Sequence, residues 1–181
     1  MCSAGAKILR REGDAVNTSS ATSGETVKRL DEVSLGAEIG RRLGGSSADG
    51  STIPVGAGER MGRVVWTDRG DDVLVYLDSI RAKVLDRMLY VSIDLETDQT
   101  GRTPLVCVFA LGLATDPAGM VAVSDELPRG NGLLASRWGE SVQVAVWNAL
   151  LGMLSDFAKA SNLSPAGFAA LSGALVLRAD I

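Results

Sequence analysis

Apolar and polar residues alternate most regularly within the stretch from Arg63 to Leu113. Near its centre every second residue is aliphatic, and the residues between them are Tyr, Ser, Asp and Glu. The aliphatic set is Leu89, Val91, Ile93 and Leu95. A period of two places the two sets on opposite faces of a β-strand. The pattern therefore predicts a strand with one apolar and one polar face.

Further strands are predicted on both sides of this one, because the flanking segments are rich in β-branched and aromatic residues. These segments are Val64–Trp66, Val73–Leu77, Thr103–Leu113 and Met120–Val123. Polar clusters containing glycine separate them at residues 68–72 and 97–102, as is typical of hairpin turns. We expect a mainly antiparallel sheet of four to five strands.

Residues Asp78–Arg87 fit two patterns. With a period of two, the preceding strand continues to a turn near Asp86. With a period of 3.6, Ser79 caps a short helix that has Ile80 and Val84 on one face. We favour the hairpin, because alternating runs with few breakers between them usually pair directly. The helical alternative gives an element order that resembles roadblock-type dimerisation modules.

An N-terminal helix is predicted over Glu25–Leu43, where apolar residues recur mostly at intervals of three or four. Gly36 and Gly40 weaken this helix, or they permit the close approach of another backbone. The glycine- and serine-rich residues 44–51 predict a flexible linker. The sequence leaves open whether this tethered helix docks on its own domain or contacts another chain.

The strongest helical pattern covers Trp138–Ala160 and has two apolar faces. The first face contains Val142, Val146, Ala149, Leu150, Met153 and Phe157, and the second contains Val144, Trp147, Leu151, Leu154 and Ala158. The second face contacts either a final helix, signalled by Ser164 and Pro165, or a copy of the same helix in an oligomer. The candidate interface residues are Val144, Trp147, Leu151 and Leu154.

Together these elements predict an α+β fold: a mainly antiparallel sheet of four to five strands, covered on one face by C-terminal helices, with a tethered N-terminal helix. The expected organisation is a disordered tail over residues 1–24, a helix plus flexible linker over 25–58, and a single α+β domain over 59–181. Hydrophobic residues make up 46% of the 181 residues, which is sufficient for a core.

The net charge of −4 lies entirely in residues 59–181, because residues 1–58 carry seven basic and seven acidic side chains. An acidic folded region argues against nucleic acid as a partner, unless a metal ion bridges carboxylates to phosphate. The longest uncharged apolar run, Pro104–Ala114, is too short to cross a bilayer, so we expect a soluble protein with no membrane partner. The expected partner is a protein, with the chain itself as the first candidate.

The chain has no histidine, which removes the commonest general base and the commonest zinc ligand. Its two cysteines, Cys2 and Cys107, form no disulfide framework and no metal-binding array. This pattern fits a reducing, cytoplasmic compartment. No cofactor is indicated by these residues.

One acidic motif suggests metal chemistry. Asp94 and Glu96 lie two residues apart at the end of a predicted strand, so their carboxylates share a face and are able to hold divalent cations. Asp-x-Glu in this setting resembles the first motif of the DnaQ-like (DEDD) exonucleases. The resemblance covers about ten residues and implies Mg²⁺ or Mn²⁺, held with two further aspartates. Asp125, Glu140, Asp156 or Asp180 would have to supply them.

The leading functional hypothesis is a non-enzymatic protein-binding or assembly module that forms a homo-oligomer. It depends on the absence of familiar catalytic motifs from the sequence, on the two-faced helix Trp138–Ala160 and on the tethered helix Glu25–Leu43. One alternative is a divalent-metal-dependent phosphodiesterase or nuclease that uses Asp94 and Glu96. Another is a small acidic chaperone or adaptor for a protein partner.

Overall fold

Two antiparallel sheets and two helices form the fold in the computed structural model, which describes residues 26–44, 52–54, 62–112 and 128–180. The helices are α1 (Glu32–Leu43) and α2 (Gly132–Ala160). The first sheet has the order β1-β9-β8, with β1 at Thr26–Asp31, β8 at Ser164–Leu171 and β9 at Ala174–Asp180. The second has its six strands in chain order: β2 (Thr52–Pro54), β3 (Arg63–Asp68), β4 (Asp71–Leu85), β5 (Met88–Glu96), β6 (Thr103–Ala110) and β7 (Arg129–Gly130). The α+β prediction is confirmed.

Tight turns connect the strands where the sequence predicted hairpins. Arg69 and Gly70 link β3 to β4 with φ values of 52° and 84°, the left-handed pair that a two-residue hairpin turn requires. β4 runs on to Leu85 and pairs with β5, which confirms the hairpin interpretation of Asp78–Arg87. The helical alternative was wrong, and the resemblance to roadblock-type modules is lost with it.

Helix α1 docks on β4 at a bulge. The β4–β5 register shifts between Tyr76 and Arg81, and the glycines of α1 face the carbonyl groups of the bulge. A Cβ atom added to Gly36 would lie 3.3 Å from the Ile80 carbonyl oxygen, and one added to Gly40 would lie 3.1 Å from that of Leu77. The glycines therefore serve a close backbone approach within the same chain. They bring the fully buried side chains Leu35, Ile39 and Leu43 into the core.

The predicted N-terminal helix was too long at its start, because residues 26–31 form strand β1. Asp31 has extended backbone angles, and its side chain accepts hydrogen bonds from the backbone N–H groups of Val33 and Ser34 at 3.0 and 2.9 Å. It thus caps α1 at the point where the strand ends. The partner of β1 is β9, at the opposite end of the chain, so no local pattern signals this pairing.

The predicted C-terminal helix was also wrong, since its residues form the β8–β9 hairpin. Gly173 lies in the turn with φ 79°. Side chains on both faces of the two strands are buried almost throughout. Strands covered on both faces read as continuous apolar runs, and these are not distinguishable from a buried helix by periodicity alone. Within the described part of the chain, the C-terminal helical cover is therefore α2 alone.

Helix α2 ends at Ala160, as predicted, but it begins six residues earlier than Trp138. Asn131 caps it by accepting a hydrogen bond from the Leu133 N–H at 2.9 Å. Neither helix among the described residues combines the length and apolarity that crossing a membrane requires. The predicted strand Met120–Val123 and the predicted tail 1–24 lie outside the described residues.

Candidate functional site

Asp94 and Glu96 lie on the polar face of β5, on either side of the fully buried Leu95. The antiparallel register places Asp94 opposite Tyr76 of β4, and Glu96 opposite Leu74. The strand alternation predicted from sequence is thus confirmed at this position. The two carboxylates share one face of the sheet, as the spacing required.

Each of the two carboxylates has a partner on the same surface. Arg102, in the loop after β5, donates from Nε to Asp94 Oδ2 at 2.8 Å, while the Tyr76 hydroxyl donates a short hydrogen bond to Glu96 Oε2. The Arg102 guanidinium also lies 4.0 Å from the centre of the Tyr76 ring. Arg102 therefore neutralises Asp94, and the uncharged Tyr76 phenol hydrogen-bonds Glu96, in a connected cluster of four side chains.

The backbone beneath this cluster is held by Ser79, which lies in the bulge of β4. Its Oγ accepts a hydrogen bond from the Asp94 N–H at 2.8 Å and donates one to the Tyr76 carbonyl oxygen at 2.6 Å. One hydroxyl group thus restores the cross-strand connection where the ladder is interrupted. It also fixes the relative positions of the strands that carry Tyr76 and Asp94.

The hydrogen bond to Glu96 raises the pKa of Tyr76, with partial burial and the negative charge of Glu96 adding to the effect. The phenol is consequently the proton donor of the pair, and its ionised form is disfavoured.

The four carboxylates that the exonuclease resemblance required do not come together among the residues that the structure describes. No group of three or more His, Cys, Asp or Glu side chains suitable for a metal ion occurs there. Asp156 belongs to α2 and pairs with Arg42 of α1 at 2.6 Å. Glu140 is also on α2 and Asp180 ends β9, whereas Asp125 lies outside the described residues.

Cys107 is fully buried in β6, and burial raises the pKa of its thiol to about 12. The thiolate is the reactive form of cysteine, so this residue behaves as a small core side chain.

The four candidate interface residues on α2 fall into three environments. Val144 and Leu151 are on the surface, with 51% and 42% of their area exposed. Leu154 is buried at 5% exposure. Trp147 is half-buried between two phenylalanines, with ring-centroid distances of 5.8 Å to Phe109 and 5.7 Å to Phe168. The inward half of the predicted second face is thus covered by the chain's own sheets.

No protein-family model, curated protein or solved structure matches this chain.

Three exposed apolar residues of the described part of the chain lie outside the predicted interface: Leu133 in the first turn of α2, at 60% exposure, Val33 in the first turn of α1, at 83%, and Leu85 at the end of β4, at 43%. Leu133 was missed because the helix was predicted to begin at Trp138. The available signal was Asn131, a residue type that commonly caps helices, directly before Gly132.

An open cleft of about 780 Å³ lies between the start of α2 and the turns that follow β3 and β5. Arg137 joins two of its walls, donating to Asp68 Oδ2 at 2.7 Å and to Asp71 Oδ2 at 2.8 Å. Its guanidinium also lies 4.7 Å from the centre of the Trp138 ring. Arg137 thereby ties the first turns of α2 to the β3–β4 turn.

Proposed function

We propose that this chain is a non-enzymatic protein-binding or assembly module that associates with a second copy of itself through the exposed side of α2. The observation that carries the proposal is the exposure of Val144 and Leu151 on one side of that helix. Seven residues make two turns of an α-helix, so the two side chains lie in line about 10 Å apart. A monomer would leave both in water.

Most of the remaining apolar circumference of α2 is already covered, with Leu133 in the first turn as an exposed exception. Val142, Val146 and Leu150 are fully buried, and Trp147 packs between aromatic rings from the two sheets. A helix that is apolar around most of its circumference is stable when it is buried on most sides. Removing Val144 and Leu151 from water would contribute on the order of 1 kcal/mol for each side chain.

Three features support a binding rather than a catalytic role. The sequence has no histidine, and Cys107 is a buried thiol with a raised pKa. Asp94 and Glu96 are engaged by Arg102 and by the Tyr76 hydroxyl. These partners suit a stabilising polar cluster on the surface of the sheet.

The test is the mass of the protein in solution, measured by light scattering at micromolar to tens-of-micromolar concentration. We expect an oligomer for the unmodified chain and a monomer for V144E/L151E. The matched control is V33E, which replaces an even more exposed apolar residue on the other helix and should leave the mass unchanged. Thermal unfolding of all three proteins establishes that each is folded. A monomeric unmodified chain over this concentration range would overturn the proposal.

A further inference from the structure

We infer that two copies meet as a closed twofold dimer in which the α2 helices run antiparallel, with Val144 against Leu151 of the partner subunit. This inference rests on the proposed function and specifies its interface. Val144 and Leu151 lie at equal distances from the midpoint between Trp147 and Asn148. A twofold axis through that midpoint, perpendicular to the helix, pairs Val144 with Leu151 in both directions, and the assembly closes at two subunits.

The charges along α2 favour the antiparallel orientation. Glu140 is exposed one turn before Val144, and Lys159 is exposed about two turns after Leu151. The exposed side of the helix is therefore acidic towards its N-terminal end and basic at its C-terminal end. Antiparallel packing brings the acidic end of one copy near the basic end of the other, whereas parallel packing brings like charges together.

The other charged side chains of α2 are compensated within the chain. Arg137 is bound by Asp68 and Asp71, and Asp156 is bound by Arg42 at 2.6 Å. Glu140 and Lys159 are thus the charges that set the polarity of this surface. The helix macrodipoles favour the same orientation, because antiparallel neighbours place opposite partial charges side by side.

Disulfide cross-linking tests the orientation directly. The C2S/V144C and C2S/L151C proteins are oxidised separately and as a mixture, and Cys107 does not compete because it is buried. Antiparallel packing predicts cross-linked dimers in the mixture that join one V144C subunit to one L151C subunit, with little product from either protein alone. Parallel packing predicts the reverse, because each protein would cross-link to itself.

A charge exchange provides an independent readout. E140K should weaken the antiparallel dimer by roughly three- to tenfold, since each end then carries two positive charges, and E140K/K159E should recover most of that loss. Added salt should reduce both effects. In a parallel dimer, E140K would replace one like-charged pair with another, so the dissociation constant would change little.

The outcomes separate the two proposals. A monomeric unmodified chain overturns the assembly function, and this inference with it. A dimer that cross-links through V144C alone, or that is insensitive to E140K, retains the assembly function and overturns the antiparallel arrangement. A dimer that V144E/L151E leaves intact shows that another surface forms the interface, and it also overturns the inference.

Discussion

The guanidinium group of Arg42 occupies the space in which a side chain at Gly152 would begin: a Cβ atom added there would lie 2.6 Å from Arg42 Nη1. From this position Arg42 donates to Asp156 at 2.6 Å and to Glu38 at 2.8 Å. The Arg42 side chain of α1 can thus lie over α2 because Gly152 has no side chain. This contact is the polar part of the α1–α2 packing.

Replacing Gly152 should displace Arg42 without a large loss of stability. In G152A, the gain in helix propensity of about 1 kcal/mol offsets the loss of a partly exposed ion pair, which is worth at most about 1 kcal/mol. Arg42 lowers the pKa of Asp156 through a hydrogen bond and its charge, so that pKa should move back towards its ordinary value. NMR titration measures this change. G132A is the control, because its added Cβ has no neighbour within 4 Å. An unchanged Asp156 pKa in G152A would contradict the prediction that a side chain at position 152 displaces Arg42.

The pH dependence of stability should contain a contribution from Glu38. Hydrogen bonds from Arg41 and Arg42 lower its pKa from 4.5 to about 2. A depressed carboxyl pKa stabilises the fold above the unfolded value, so this contribution is present above pH 4.5 and is lost as the pH falls towards 2. Denaturant unfolding across this range should show a shallower decline for E38Q. R41Q should reproduce part of that change, and identical slopes for all three proteins would refute the prediction.

The close approach of α1 to β4 should make Gly40 the less replaceable of the two helix glycines. An added Cβ would lie 3.1 Å from a backbone oxygen at Gly40 and 3.3 Å from one at Gly36, and neither oxygen is at the end of a flexible side chain. We expect G40A to reduce the free energy of unfolding by about 1–2 kcal/mol, and G36A by less. Denaturant titration measures both values. A G40A protein as stable as the unmodified chain would show that the helix moves away from the bulge at no cost.

The hydrogen bond to Glu96 should be visible in the ionisation of Tyr76. The chain has two tyrosines, so a Y90F background isolates Tyr76 in an absorbance titration of the phenolate. Its pKa should lie above the ordinary value of 10.0, because ionisation breaks the bond to Glu96 and creates a second negative charge beside it. E96Q should bring the pKa down, since the carboxylate charge is removed. An unchanged midpoint in Y90F/E96Q would exclude this origin of the shift.

The elements that were predicted correctly depend on neighbours in sequence. The alternation over 89–96 predicted strand β5, and the turn residues Arg69 and Gly70 predicted the β3–β4 hairpin. The apolar pattern up to Ala160 predicted most of α2. Hairpin partners are adjacent in the chain, so local turn chemistry and side-chain period determine such elements.

The tertiary structure decided the rest. Strand β1 exists because it pairs with β9, about 150 residues away. The β8–β9 hairpin is buried on both faces, so its sequence shows no alternation of apolar and polar residues. The same is true of the site: the Asp-x-Glu spacing put two carboxylates on one face, but only the packed strands supplied Tyr76 and Arg102 as their partners. Likewise, the sequence predicted that α2 is apolar, whereas the exposure of Val144 and Leu151 depended on which sides of the helix the two sheets cover. Periodicity is a property of the local backbone, while burial and pairing are properties of the whole fold.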